Sequence, residues 1–130
     1  MQDERACFDL RRYRAFQFEM LAPVGSYALF TLTQMSADCR ARVEPGDSEY
    51  IPMSRYYTTP GQWQTVTMHF SDFAENTEGK PFDFEHLKDW TMVNMLPLGQ
   101  PFQFRNMRLL GGPFGCDGYT SRKFVSLVKA

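Results

Sequence analysis

Along residues 13–21, YRAFQFEML, Phe16, Phe18 and Met20 alternate with Ala15, Gln17 and Glu19. That period of two is the mark of a half-buried strand. Pro23 and Gly25 then supply a turn, and residues 26–36, SYALFTLTQMS, rich in β-branched and aromatic types, have the length of an antiparallel partner. The two read as a hairpin. Residues 37–48, ADCRARVEPGDS, follow neither period and read as a surface loop. EYIPMSRYY is a broken strand, because Pro52 lacks the N–H that a central ladder needs.

The clearest alternation lies in residues 61–73, GQWQTVTMHFSDF. Val66, Met68 and Phe70 fall on the predicted core face, and Trp63, Thr65, Thr67 and His69 on the other. Ser71 and Asp72 are placed to bond nearby backbone and end the strand, with Phe73 returning to the core, so SDF reads as a corner of the fold. FDFEHLKDW spaces Phe84, Leu87 and Trp90 along one side behind a capping Asp83, which predicts a short helix of about two turns. TMVNML and PFQFRNMRLLGG are two further strands joined by PLGQ, and SRKFVSLVK, residues 121–129, is a weak terminal strand. Seven strands and little helix predict an all-β chain, an antiparallel β-sandwich of jelly-roll type. A single domain over 1–130 is expected, with its core at about 8–112 and a C-terminal extension at 113–130.

Composition narrows the functions. Fourteen basic and 15 acidic residues nearly cancel, leaving a formal charge of −1 and no positive field for nucleic acid or anionic lipid. No apolar run approaches the roughly 18 residues of a membrane span. The opening MQDERACFDL lacks the basic-then-apolar order of a signal peptide. A soluble chain with neither nucleic acid nor membrane as partner is expected. Cys7, Cys39 and Cys116 lack metal-site spacing, which leaves one disulfide plus a free thiol, or three thiols. Of the possible pairs, Cys39 with Cys116 is the expected one, since each follows a core strand at a sheet end.

Enzyme chemistry finds little support. The acids are scattered rather than paired, and neither His69 nor His86 stands in a hydrolase or metalloprotease motif. Sugar binding asks for aromatic faces to stack on pyranose rings, and for amides or guanidinium groups to bond hydroxyls. Tyr56, Tyr57, Trp63, Asn94, Gln103 and Arg105 supply those groups on or beside predicted strands.

The succession WQTVTMHFSDF, FEHLKDW, TMVNM and FQFRNMRLLG, with DLRRYRAFQFEM before it, resembles galactose-binding-like β-sandwich modules. Such modules include the carbohydrate-binding modules of secreted fungal polysaccharide-active enzymes, chitin deacetylases among them, and the complex I intermediate-associated protein family. The likeness covers about residues 8–112. It implies a non-catalytic carbohydrate-binding module, accessory to a carbohydrate-active enzyme and secreted. A protein-interaction or assembly domain on the same sandwich is the alternative. Many of these modules hold a structural calcium, but Arg105 stands where the family carries Asp, and no compact acidic loop is present, so no cofactor is expected. The family usually begins with an additional strand beside its last one, and only a few residues precede the first clear strand here. SRKFVSLVK is placed to fill that position, within a monomer or by exchange between two copies.

Overall fold

The computed structural model describes residues 7–111 and 128–129. Among them are eight strands: β1 (Tyr13–Leu21), β2 (Tyr27–Met35), β3 (Arg42–Asp47), β4 (Ile51–Pro52), β5 (Gln64–His69), β6 (Leu87–Leu96), β7 (Gln103–Gly111) and β8 (Val128–Lys129). One sheet has the order β5-β1-β7, and the other runs β3-β2-β6-β8 with β4 also paired to β2. The predicted all-β sandwich stands. Every pairing is antiparallel except β8 on β6, where Trp90 pairs with Val128 and Thr91 with Lys129, so the terminal strand lies beside β6 and not beside the last long strand β7, and the rest of the expected 121–129 strand lies outside the described residues.

The core lies between the sheets, where alternation turns one row of each strand inward. Phe16, Phe18 and Met20 come from β1, Val66 and Met68 from β5, Phe30 and Leu32 from β2, and Trp90 and Met92 from β6. The rings meet mostly edge to face, the arrangement their quadrupoles favour. Trp90 stands 5.5 Å from Phe16 and 5.8 Å from Phe18 between centroids, and Phe104 lies 5.5 Å from Phe18.

Several expectations are corrected. β1 and β2 are not a hairpin, for they lie in different sheets, and the Pro23–Gly25 turn carries the chain across the sandwich. Loop length and turn residues look alike in both cases, so period alone could not separate them. The predicted helix is a 3₁₀ turn, Phe84–His86, followed at once by β6. Asp83 does cap it, its Oδ1 accepting the Glu85 N–H at 2.9 Å. Beyond that, the two-residue period of Trp90 and Met92 overrides the helical spacing. The presumed loop 37–48 contains β3, whose ladder touches β2 only at Thr33–Asp47 and Met35–Arg42. So irregular a pairing leaves no period to read.

The SDF corner is present as a 3₁₀ turn, Phe70–Phe73, with Phe73 buried. Its carboxylate bonds side chains rather than nearby backbone. Asp72 accepts from the Tyr56 hydroxyl at 2.9 Å and from Arg55 at 3.1 Å, tying the segment after β4 to the corner.

The disulfide joins Cys7 to Cys39, with Cα atoms 5.4 Å apart, and not Cys39 to Cys116. Cys116 lies outside the described residues. The pairing follows from a short bridge: Phe8 and Leu87 exchange backbone hydrogen bonds of 2.9 Å in both directions, while Leu87 pairs with Gln34 of β2. The segment bearing Cys7 is therefore fixed where the turn after β2 delivers Cys39. Closing a loop of 32 residues restricts the unfolded chain. Cys7→Ser is therefore expected to lower unfolding free energy by about 2–4 kcal/mol. Thermal melts of the variant and of the oxidised parent measure it, and coincident melts would refute the pairing.

Candidate functional site

The three-stranded sheet has one face in the core and one outside. Its outer face is built in rows by the register. Thr65 of β5, Glu19 of β1 and Arg105 of β7 form one row, and Thr67, Gln17 and Arg108 the next. Toward one end, Gln64 pairs with Met20 and Gln103 with Leu21, which sets Trp63, just before β5, at the head of the face. The observed β5 facing is the predicted one: Val66 and Met68 are buried, while Thr65 and His69 are exposed.

A bulge shapes the β7 side. From Gln17 to Glu19 the β1 strand advances two residues while its partner runs from Arg108 to Arg105, so β7 carries one extra residue. Asn106 takes the strain, with φ at 56°, a left-handed conformation that asparagine tolerates better than most residues. The bulge turns the Asn106 amide toward Glu19, whose carboxylate accepts from Asn106 Nδ2 and from Arg105 Nη2 at 3.2 Å. Those bonds, the one from Asn106 first, hold the Glu19 carboxyl below the usual carboxylate range. Glu19 is therefore an acceptor at neutral pH.

Arg105 has a second partner. Its guanidinium carbon stands 3.8 Å from the centre of the Trp63 ring, a close cation–π contact that joins the two outer strands across β1. In the neighbouring row, Arg108 donates through Nε at 2.8 Å and Nη2 at 2.6 Å to Gln17 Oε1, and Gln17 Nε2 donates to Thr67 Oγ1 at 2.8 Å. The amide orientation is thereby set by its two neighbours. Thr67 Oγ1, already accepting, keeps its own O–H to donate elsewhere. Between the rows lies an open pocket of about 450 Å³, lined by Gln17, Glu19, Thr65, Asn106 and Arg108 among others. An indole, two guanidinium groups, two amides, a carboxylate and two hydroxyls on a rigid sheet can bond a polyhydroxylated ligand in both donor and acceptor senses.

Of the six residues predicted as ligand contacts, Trp63 and Arg105 are brought together and Gln103 sits one row away, exposed. The other three are placed elsewhere. Tyr57 is 3% exposed, a core residue whose hydroxyl donates to the Gln62 carbonyl at 2.6 Å and accepts from the Ala22 N–H at 3.1 Å. Tyr56 packs half-buried against the core, its ring 6.2 Å from Phe30 of β2. Burial, with the bond to Asp72, raises its hydroxyl well above the usual tyrosine range. Asn94 is exposed on β6, in the other sheet. Gln17, Glu19, Asn106 and Arg108 were missed. The alternation of β1 put Gln17 and Glu19 on an outer face, but only the register shows which residues stand beside them.

One further cluster, Asp83, Glu85 and His86 of the 3₁₀ turn, brings its ligand atoms within 4.8 Å of one another. Its groups have local duties. Asp83 caps the turn and meets His86 Nδ1 at 2.7 Å, and Glu85 pairs with Arg11 at 3.3 Å.

With this geometry in place, comparison with known proteins gives one match. Residues 3–107 match the family model described as surface glycan-binding protein B xyloglucan binding domain. No curated protein and no solved structure matches the chain.

Proposed function

The chain belongs to the surface glycan-binding protein B xyloglucan binding domain family, and from that premise we propose that it is a non-catalytic module holding a plant-type polysaccharide such as xyloglucan. The binding surface in this reading is the outer face of the β5-β1-β7 sheet. The observation that carries it is the coupled group Trp63, Arg105, Glu19 and Asn106, which sets an aromatic ring beside a fixed array of donors and acceptors. Pyranose rings have that same division, apolar C–H faces and a rim of hydroxyls. Glu19, the carboxylate of this face, is engaged by Arg105 and Asn106. It therefore serves better as a fixed acceptor than as half of a catalytic acid–base pair.

The Cys7–Cys39 bond supports a place outside the reducing cytosol, where a surface polysaccharide is met, and a role beside a carbohydrate-active enzyme is consistent with it. Affinity electrophoresis of the intact chain through gels containing xyloglucan, mixed-linkage β-glucan, galactomannan or polygalacturonate tests the reading. Retardation by xyloglucan is expected. Unretarded migration through all four would overturn it.

A further inference from the structure

The register brings three connections to one end of the sandwich. Met20 pairs with Gln64, Leu21 with Gln103 and Tyr27 with Leu96, so residues 22–26, 56–63 and 97–102 lie together. The stretches that hold these connections, 20–37, 56–71 and 90–104, contain no Asp, Glu, Lys or Arg, although the chain has 29 such residues, 14 basic and 15 acidic. Charge gathers instead at the opposite end, around Asp9, Arg11, Asp38, Asp83 and Glu85.

The uncharged end is also where apolar side chains face solvent. Val24 is 78% exposed, Leu98 85%, Leu96 50% and Tyr27 44%. They are not scattered. The 22–26 turn is bound to the 56–63 loop by the Gly61 N–H on the Ala22 carbonyl at 2.7 Å, and Val24 Cγ2 lies 3.2 Å from where a Gly61 Cβ would stand. Tyr27 follows that turn and opens a groove of about 660 Å³ that Met92, Asn94, Met95, Leu96 and Leu98 complete. A path that is uncharged beyond the Arg105–Glu19 pair at its Trp63 end therefore runs past Gly61 and Val24 to Tyr27 and the Asn94 groove.

We propose that this path is an extension of the glycan site, and that an uncharged polysaccharide chain lies along it, gripped at Trp63 on the sheet face and again in the Asn94 groove. The inference rests on the glycan-binding reading and deepens it: the ligand is neutral, and it is bound along its length over both subsites. Two observations select this occupant. The path is continuous with the Trp63 group, and it mixes apolar side chains with exposed uncharged groups, Thr59, Gln62, Asn94 and Gln100. Beyond Arg105 a neutral glycan strips water from no ion, and its hydroxyls re-pair the amides it covers. A lipid bilayer would leave those amides unpaired in its apolar layer, and the three connections at this end hold no cation to meet an anionic headgroup.

The test compares the intact chain with Leu98→Asp and Asn94→Gly, by calorimetric titration with xyloglucan polymer and with cellotriose. Leu98 is exposed on a turn, and glycine accepts the positive φ of Asn94, so both variants should melt with the parent. Leu98→Ser replaces the aspartate variant should that one fail to fold. The expected result is about a tenfold loss of polymer affinity with cellotriose affinity unchanged, because the trisaccharide occupies the Trp63 subsite alone. Unchanged affinity for the polymer would overturn the extension and leave the sheet-face reading standing. No binding of either sugar by the parent would overturn both. Loss, in Leu98→Asp, of sedimentation with phosphatidylcholine vesicles or of self-association would then assign the end to a membrane or a protein instead.

Discussion

Val66→Asp is expected to leave the domain unfolded at room temperature, whereas Thr67→Asp, one residue along, folds. Val66 is 1% exposed and pairs with Phe18 on the central strand of its sheet, so a carboxylate there has neither water nor a partner. An unpaired buried charge costs several kcal/mol, comparable with the entire stability of about 5–15 kcal/mol of a small domain. Thr67 points the other way and accepts from Gln17 at 2.8 Å, a role that an aspartate oxygen can fill. Circular dichroism melts of the two variants decide the matter. A folded Val66→Asp, or an unfolded Thr67→Asp, would mean that the strand is turned over, since a slip of one residue exchanges the two faces.

The facing of β5 could be read from sequence because six residues there keep one period and one burial pattern. The same held for β1 from Phe16 to Leu21, and the corner at Asp72 was legible in its place though not in its bonds. What escaped was everything that depends on which strands are neighbours. Arg105 reaches Trp63 only because β1 sits between β5 and β7, and Asn106 meets Glu19 only because β7 carries a bulge. Neither fact leaves a mark on local periodicity. Tyr56 and Tyr57 adjoin in sequence and look alike as ligand candidates, but a 3₁₀ turn over Met53–Arg55 precedes them and sends Tyr57 into the core. The choice of Cys116 over Cys7 as the partner of Cys39 fails for a related reason. The Cys7 segment is held by a single bridge at Phe8, too short to show a period, yet that bridge decides which cysteine meets Cys39.

The neighbouring aromatics Tyr57 and Trp63 therefore separate fold from binding. Tyr57→Ala empties a core site and strands the Gln62 carbonyl and the Ala22 N–H, so a loss of about 3–5 kcal/mol is expected, a large fraction of a small domain's stability and a far earlier melt. Trp63→Ala is expected to keep the fold, since the half-buried indole lies outside the core cluster. Its effect falls on the ligand. Losing a stacking ring should cost about 1–3 kcal/mol, roughly a 5- to 150-fold loss of affinity for xyloglucan. Arg105→Ala should lose less than Trp63→Ala. The guanidinium lies over the indole at 3.8 Å, so removing it takes hydrogen bonds from the sugar but also uncovers the ring. An exposed cation–π contact and an exposed ion pair to Glu19 are each worth no more than about 1 kcal/mol, so neither change should unfold the sheet. Melting temperature and xyloglucan affinity of the three variants are the measurements. A Trp63→Ala protein that melts as early as Tyr57→Ala would make the indole a cover for the sandwich, and an Arg105→Ala protein that binds more weakly than Trp63→Ala would move the dominant contact from the ring to the guanidinium.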